Sequence, residues 1–142
     1  MTPYEEICSL KARYFRFVDT KQWDDLRGLF LDNTVFDYPE NPDGVLTVDV
    51  AMRFIIDSLD HAVSIHQGYM PEIEILSETQ ARGRWLLEDR IFWAPGNLHP
   101  MNLHSLHGFG YYEEDYVRVD GKWYFQKIKL VRRHLNTSVT PA

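Results

Sequence analysis

Apolar and polar positions follow two different periods along this chain. Between residues 3 and 18, Ile7, Leu10, Ala12, Tyr14, Phe17 and Val18 recur at helical spacing, and Pro3 suits a first turn. Trp23, Leu26, Leu29 and Phe30 predict a second, short helix over Trp23–Phe30. Asn33–Tyr38 reads as a short strand and Pro39–Gly44 as a turn-rich loop. Thr47 is placed to cap a third helix from about Val48 to Leu59, with Val50, Phe54, Ile55 and Leu59 inward.

After Val63 the period drops to two. Val63–Trp93 reads as a long hairpin turning at Ser77-Glu78-Thr79-Gln80. On its second strand Gly83, Trp85, Leu87, Asp89, Ile91 and Trp93 share one face, so Asp89 is a carboxylate among apolar neighbours. Burying it unpaired is costly, and it needs a partner or a task. On the first strand Ile73 and Ile75 join that face. Unbroken pairing turns His66 away from Asp89. Pro71 cannot donate to a sheet ladder, however, and a one-residue bulge at Met70-Pro71 reverses the parity and brings His66 opposite Asp89.

Ala94–Leu103, with two prolines and a glycine, predicts a loop or lid. A third long strand runs over Leu106–Val119, Asp120-Gly121 marks a two-residue hairpin turn, and Lys122–Arg133 forms the fourth. The apolar parity of that strand shifts between Phe125 and Ile128, which predicts a second bulge near Gln126. The tail Asn136–Ala142 reads as frayed. Three helices and an antiparallel four-stranded meander make an α+β domain over residues 1–142, whose curved sheet and helices enclose a pocket.

Composition narrows the function. Cys8 is the lone cysteine, which removes disulfides and a cysteine zinc site. No run approaches the roughly 20 apolar residues of a membrane span, and no signal peptide opens the chain, so a cytoplasmic location and no membrane partner are expected. The net charge of −6, without a basic stripe, argues against nucleic acid.

Tyr14, Asp19, His66 and Asp89 are the candidate chemistry, each with a plainer alternative. Tyr14 also suits a core tyrosine, Asp19 a helix-end acid or loop cap, and His66 a satisfied core or surface histidine. Tyr14 and Asp19 are five apart, about 140° around an ideal helix; they face one cavity only if the helix ends near Val18 and the chain bends. A histidine exchanges protons at neutral pH, an aspartate sets its tautomer, and a tyrosine hydroxyl stabilises negative charge. Such a set supports enolisation, loss of water or ring closure without metal or organic cofactor. His104 and His107 are three apart leading into a strand and point to opposite faces, which disfavours a metal. His107 is the better pocket candidate. Glu114, sharing a face with Tyr112 and Tyr116, is a secondary one, and Trp85 and Tyr112 complete the expected lining. Gly108-Phe109-Gly110 suits close packing or a bend, and Arg132-Arg133-His134 a solvated strand end.

The segments YFRFVDTKQWDDL from Tyr14, HQGYMPEIEILSET from His66 and ARGRWLLEDR from Ala81 resemble one family. It is the SnoaL-like branch of the nuclear-transport-factor-two-like superfamily, which includes scytalone dehydratase, polyketide cyclases and ketosteroid isomerases. The likeness is nearest to the bile acid 7α-dehydratase type and covers roughly residues 4–134. It is weaker from His99 to Tyr112. The resemblance implies a cone-like α+β barrel of three N-terminal helices on a curved, mostly antiparallel sheet. It also implies no cofactor, assembly as a homo-oligomer (dimer or trimer), and Tyr14, Asp19, His66 and Asp89 as the active-site residues.

The expected activity is a cofactor-independent dehydratase acting on a hydrophobic, cyclic steroid- or polyketide-like substrate. His66 is the expected base, Asp89 the group orienting it, and Tyr14 with Asp19 the group polarising a carbonyl or assisting the departing hydroxyl. An isomerase or cyclase using the same pocket is the neighbouring reading. A non-catalytic binding or oligomerisation domain is the third, although a passive apolar pocket has no need of four buried polar groups.

Overall fold

The computed structural model describes residues 1–39, 41 and 44–139. Helix α1 (Pro3–Asp19) begins in a capping box: the Thr2 hydroxyl accepts from the Glu5 amide and the Glu5 carboxylate accepts from the Thr2 amide, at 3.2 and 3.3 Å. Helix α2 (Trp23–Arg27) is shorter than its pattern suggests, because Gly28 and Leu29 turn the chain out of the helix and Phe30 begins strand β1 (Phe30–Asp37). The turn expected over Pro39–Gly44 lies partly outside the described residues. A two-residue strand β2 (Leu46–Thr47) leads into α3 (Val48–Leu59). Thr47 occupies the cap position without a side-chain cap bond. The buried face of α3 is Val48, Ala51, Met52, Ile55 and Leu59; Val50 and Phe54, expected inward, are exposed.

Four long strands follow: β3 (Ala62–Ile75), β4 (Gln80–Trp93), β5 (Leu103–Val119) and β6 (Lys122–Val139). Among the described residues the sheet has six strands, in the order β2-β1-β6-β5-β4-β3. It is therefore mixed, with β1 parallel to β6 and the remaining pairs antiparallel. The order begins at β2 and ends at β3, so the sheet is open and does not close into the expected barrel. The expected meander is its β3–β6 part. Helix α1 packs on β3 and β6, and α3 on β1, β2 and β3. Of the tail expected to fray over Asn136–Ala142, the part to Val139 is strand paired with β5, and residues 140–142 lie outside the described residues.

Bulges set which residues share a face. Pairing between β3 and β4 shifts between Tyr69 and Glu72, where Met70 has φ 46°, and beyond the shift His66 lies opposite Asp89. A second shift skips Gln126, leaving Tyr116 opposite Phe125 and Asp115 opposite Lys127. A third skips Arg133, so that Arg132 pairs with Gly110 and His134 with Phe109. Gly110 is required there: a Cβ on it meets the backbone carbonyl of Val131.

Candidate active site

The end of α1 delivers Asp19 to the inner face of β3. Thr20 caps the helix through its backbone amide, and Lys21 takes φ 61°, which turns the chain sharply away. Asp19 accepts from the His66 backbone amide at 2.8 Å and from the Ser64 hydroxyl at 3.0 Å. Its Oδ1 lies 2.6 Å from His66 Nδ1. A carboxylate can only accept, so the Nδ1 proton belongs to this bond, and in the tautomer it selects Nε2 carries the lone pair. The ammonium of Lys21 reaches the Ser64 hydroxyl at 3.2 Å and steadies the cluster from the rim. Phe15 lies against the imidazole, with ring planes 16° apart, and the His66 side chain is 10 % exposed.

Asp89 sits beside His66 in register, but its carboxylate is engaged elsewhere. Arg132 Nη1 and Nη2 donate to Asp89 Oδ1 and Oδ2 at 2.7 and 2.9 Å, a bidentate pair. The expectation that Asp89 orients the His66 ring is thus corrected: Asp19 does. The reason is reach, since the guanidinium extends from β6 across Gly108 of β5 to meet Asp89. A Cβ on Gly108 runs into both Arg132 Nη1 and Asp89 Oδ1, so glycine leaves the corridor open. Arg132 therefore belongs to the inner face and not to a solvated strand end; it continues the parity of Ile128 and Leu130.

Tyr14 is buried among aromatic rings, edge-on to Phe15, Phe30, Tyr112 and Phe125. Burial pushes its hydroxyl up to about 12, against hydrogen bonding with Tyr38 and Tyr112; the charges of Glu114 and Asp19 add to the rise. Tyr14 is therefore a phenol, a donor, at neutral pH. Tyr112 is raised further for the same reason, desolvation. Trp85, Tyr112 and Glu114 are all buried on the inner face.

Glu114, however, has a task of its own. Lys11 Nζ donates to its Oε2 at 2.6 Å, with both side chains fully buried. The Tyr116 hydroxyl donates to Glu114 Oε1 at 2.7 Å and accepts from Trp85 Nε1 at 3.0 Å. The ammonium stands 3.4 Å from the ring centre of Tyr112 and 4.2 Å from that of Tyr14. Burial lowers Lys11 to about 8, against the pull of Glu114. Lys11 and Ser64 escaped the sequence reading although each carried a signal, and Arg132 was read as a solvated strand end. Lys11 lies in the middle of the α1 stripe, four residues after Ile7 and three before Tyr14. Ser64 shares parity with Ala62 and His66.

His107 is on the opposite side of the sheet from this cluster. It pairs with Glu88 at 2.7 Å beside Arg90, because odd-numbered residues of this part of β5 point outward. The expected pocket role of His107 is corrected accordingly. Glu88 is held down at about 2 by hydrogen bonds from His107, Tyr69 and Arg90. Among the described residues no three His, Cys, Asp or Glu side chains gather as a metal site, and no helix is long and apolar enough to cross a membrane. A groove of about 570 Å³ opens at Glu72–Glu74, Arg82–Arg84, Glu113–Asp115, Lys127 and Lys129, away from His66.

A family model described as SnoaL-like domain matches residues 1–129. A probable cyclase of Gibberella zeae is 25 % identical over 130 residues, covering 86 % of this chain and 85 % of that protein. Among solved structures, a candidate scytalone dehydratase from Novosphingobium aromaticivorans superposes with a TM-score of 0.81 at 20 % identity, over 98 % of this chain and 89 % of the other. The hexachlorocyclohexane dehydrochlorinase LinA-type3 of Novosphingobium barchaimii gives 0.76 at 19 % identity, over 95 % and 89 %. These structural likenesses concern the fold.

Proposed function

The chain belongs to the SnoaL-like domain family, and from that premise we propose that it is a cofactor-independent dehydratase of a hydrophobic, cyclic substrate of steroid or polyketide size. The observation that carries the reading is the 2.6 Å contact between Asp19 and His66 Nδ1, which leaves Nε2 as a base. His66 removes a proton from the carbon beside a ketone. The electrons form the new C=C bond as the C–O bond to a β-hydroxyl breaks, and the proton leaves with that oxygen as water. Asp19 orients the imidazole and stabilises the imidazolium while it carries the proton. Tyr14, held as a phenol, donates to the ketone oxygen as it gains negative charge. Asp89 acts by holding Arg132 on the same face, a fixed cation for the oxygenated end of the substrate. Steroid-like substrates follow from the resemblance to the bile acid 7α-dehydratase type, and the cluster of single aromatic rings around Tyr14 and Phe15 suits a hydrophobic ring system.

The test is turnover of fused-ring β-hydroxy ketones, followed by mass spectrometry. Loss of one water by the wild type, cut about 10²-fold or more in folded His66→Ala, supports the reading. Near-normal turnover in that variant overturns the base assignment. The likeness to a probable cyclase favours a second reading, ring closure from the same enolate; a product that keeps the substrate's mass or gains a ring separates it from dehydration.

A further inference from the structure

Asp19 has more partners than the orientation of a histidine requires. It stands in the last turn of α1, where the carbonyl end of the helix dipole disfavours a carboxylate. Among the described residues three donors answer it. The His66 backbone amide donates to Oδ2 at 2.8 Å, while the Ser64 hydroxyl and His66 Nδ1 both donate to Oδ1, at 3.0 and 2.6 Å. Ser64 is buried, and its one proton is committed. An ammonium cannot accept, so Lys21 Nζ is the donor at 3.2 Å and the Ser64 proton points at Asp19. The direction of the chain is thereby fixed: Lys21 to Ser64, Ser64 to Asp19, with the His66 ring donating from the other side. Backbone bonds hold Lys21 at its end of this chain. Its own amide donates to the Val18 carbonyl at 3.2 Å and the Gln22 amide to that of Phe17 at 2.8 Å, on either side of the φ of 61°. Burial lowers Lys21, and the charges of Asp19 and Asp60 oppose the change.

We propose that Ser64 and Lys21 are positioning residues that draw on Asp19 Oδ1 and so limit how strongly this oxygen holds the His66 ring. Two donors on one oxygen compete for the same electron density and weaken each other. A serine hydroxyl that accepts from an ammonium is also a stronger donor than a free one, so Lys21 acts through Ser64. The use of this sharing rests on the elimination proposed above. There His66 Nε2 takes a proton from carbon and must then yield it to the departing hydroxyl. A carboxylate with no other donor on Oδ1 holds the imidazolium harder and slows that second transfer. Sharing Oδ1 lets one imidazole serve both steps.

The experiment follows the Nδ1 proton of His66 by NMR on the full chain, assigned by its loss in His66→Gln, with the nitrogen-15 shift of Nδ1 as a second reading. Ser64→Ala removes the competing donor, so the remaining bond should tighten and its proton move downfield by several tenths of a part per million. Lys21→Met should move it the same way by less. Ser64→Thr and Lys21→Arg keep the hydroxyl and the charge and should stay near the wild type. Loss of a merely structural contact loosens the pair and sends the proton upfield instead. Turnover of fused-ring β-hydroxy ketones is the second arm: kcat should fall about 10-fold in Ser64→Ala and by less in Lys21→Met, with KM changed less than about twofold. Circular dichroism confirms the fold of each variant, and if Ser64→Ala does not fold, Lys21→Met against Lys21→Arg decides in its place. An unchanged or upfield proton in the folded variant, a Ser64→Thr that matches Ser64→Ala, or an undiminished kcat overturns the proposal. A wild type that turns over none of these ketones overturns the dehydratase reading instead, and the proton resonance then decides the chain.

Discussion

Arg132 holds Asp89 through both terminal guanidinium nitrogens, at 2.7 and 2.9 Å, from two strands away. The Asp89 side chain is 3 % exposed and that of Arg132 14 %. A pair this dry contributes little beyond what an apolar pair of the same volume would, but breaking it leaves one charge stranded. Arg132→Met should therefore cost about 3–5 kcal/mol. The double variant Asp89→Leu with Arg132→Met should recover much of that loss. Urea titration of the four members of the cycle measures the coupling.

Gly108 is expected to be intolerant for the same reason. Gly108→Ala pushes a methyl group between Asp89 and Arg132, and the pair must separate or the strand must shift. Overpacking of this kind costs about 1–3 kcal/mol. Gly96→Ala, where a Cβ meets nothing, should be close to neutral, and thermal melts of the two variants give the comparison.

Asp19→Asn keeps the size of the side chain and removes the demand that Nδ1 carry the proton. An amide can donate to Nδ1 and so move the proton to Nε2, silencing the proposed base. Turnover should fall by about 10²–10⁴-fold with little change in melting temperature. Nitrogen-15 spectra of His66 in the folded variant should show the exchanged tautomer. Retained turnover with an unchanged tautomer would remove Asp19 from the mechanism.

Lys11 and Tyr14 predict opposite slopes of stability with pH. Burial lowers Lys11 from 10.5 to about 8, so between those values the unfolded chain binds more protons than the folded one. Its contribution to stability is least below pH 8 and rises across that window. Burial raises Tyr14 from 10.0 to about 12, so its contribution is full below pH 10 and is lost as pH climbs through 12. Relative to Lys11→Met, the wild-type melting temperature should gain between pH 8 and 10. Above pH 10 the melting temperatures of both proteins should fall, and Tyr14→Phe should lessen that fall. The Lys11→Met change itself strands Glu114 and should cost about 3–5 kcal/mol at neutral pH.

The elements were legible because they rest on local periodicity and local chemistry. Pro71 announced its bulge by lacking an N–H, and the parity change between Phe125 and Ile128 announced the one at Gln126. Asp120-Gly121 forms its turn with φ 50° and 79°, conformations that a glycine and an aspartate adopt at low cost. The end of β6 was misread because Asn136, Thr137 and Ser138 are polar, and polar residues form strand when a long neighbour such as β5 offers a full ladder. Strands β1 and β2 extended the sheet beyond the meander through a parallel pairing with β6, a long-range contact with no sequence period to reveal it.

By itself the sequence determined that Asp89 and His66 share a face, that Tyr14 lies on the buried stripe of α1, and that a carboxylate inside the protein had to find a partner. Backbone pleat and helix pitch decide those things within a few residues. Only the tertiary structure decided the partners: Asp19 for His66, Arg132 for Asp89 and Lys11 for Glu114. Two groups on one face are both within plausible reach of a third, and the choice depends on where α1 ends, where β6 bulges and where Gly108 leaves room. So the chemistry expected of the His66–Asp89 hairpin is kept on that face but shared among three elements. Asp19 from α1 orients the histidine, and Arg132 from β6 answers the buried aspartate.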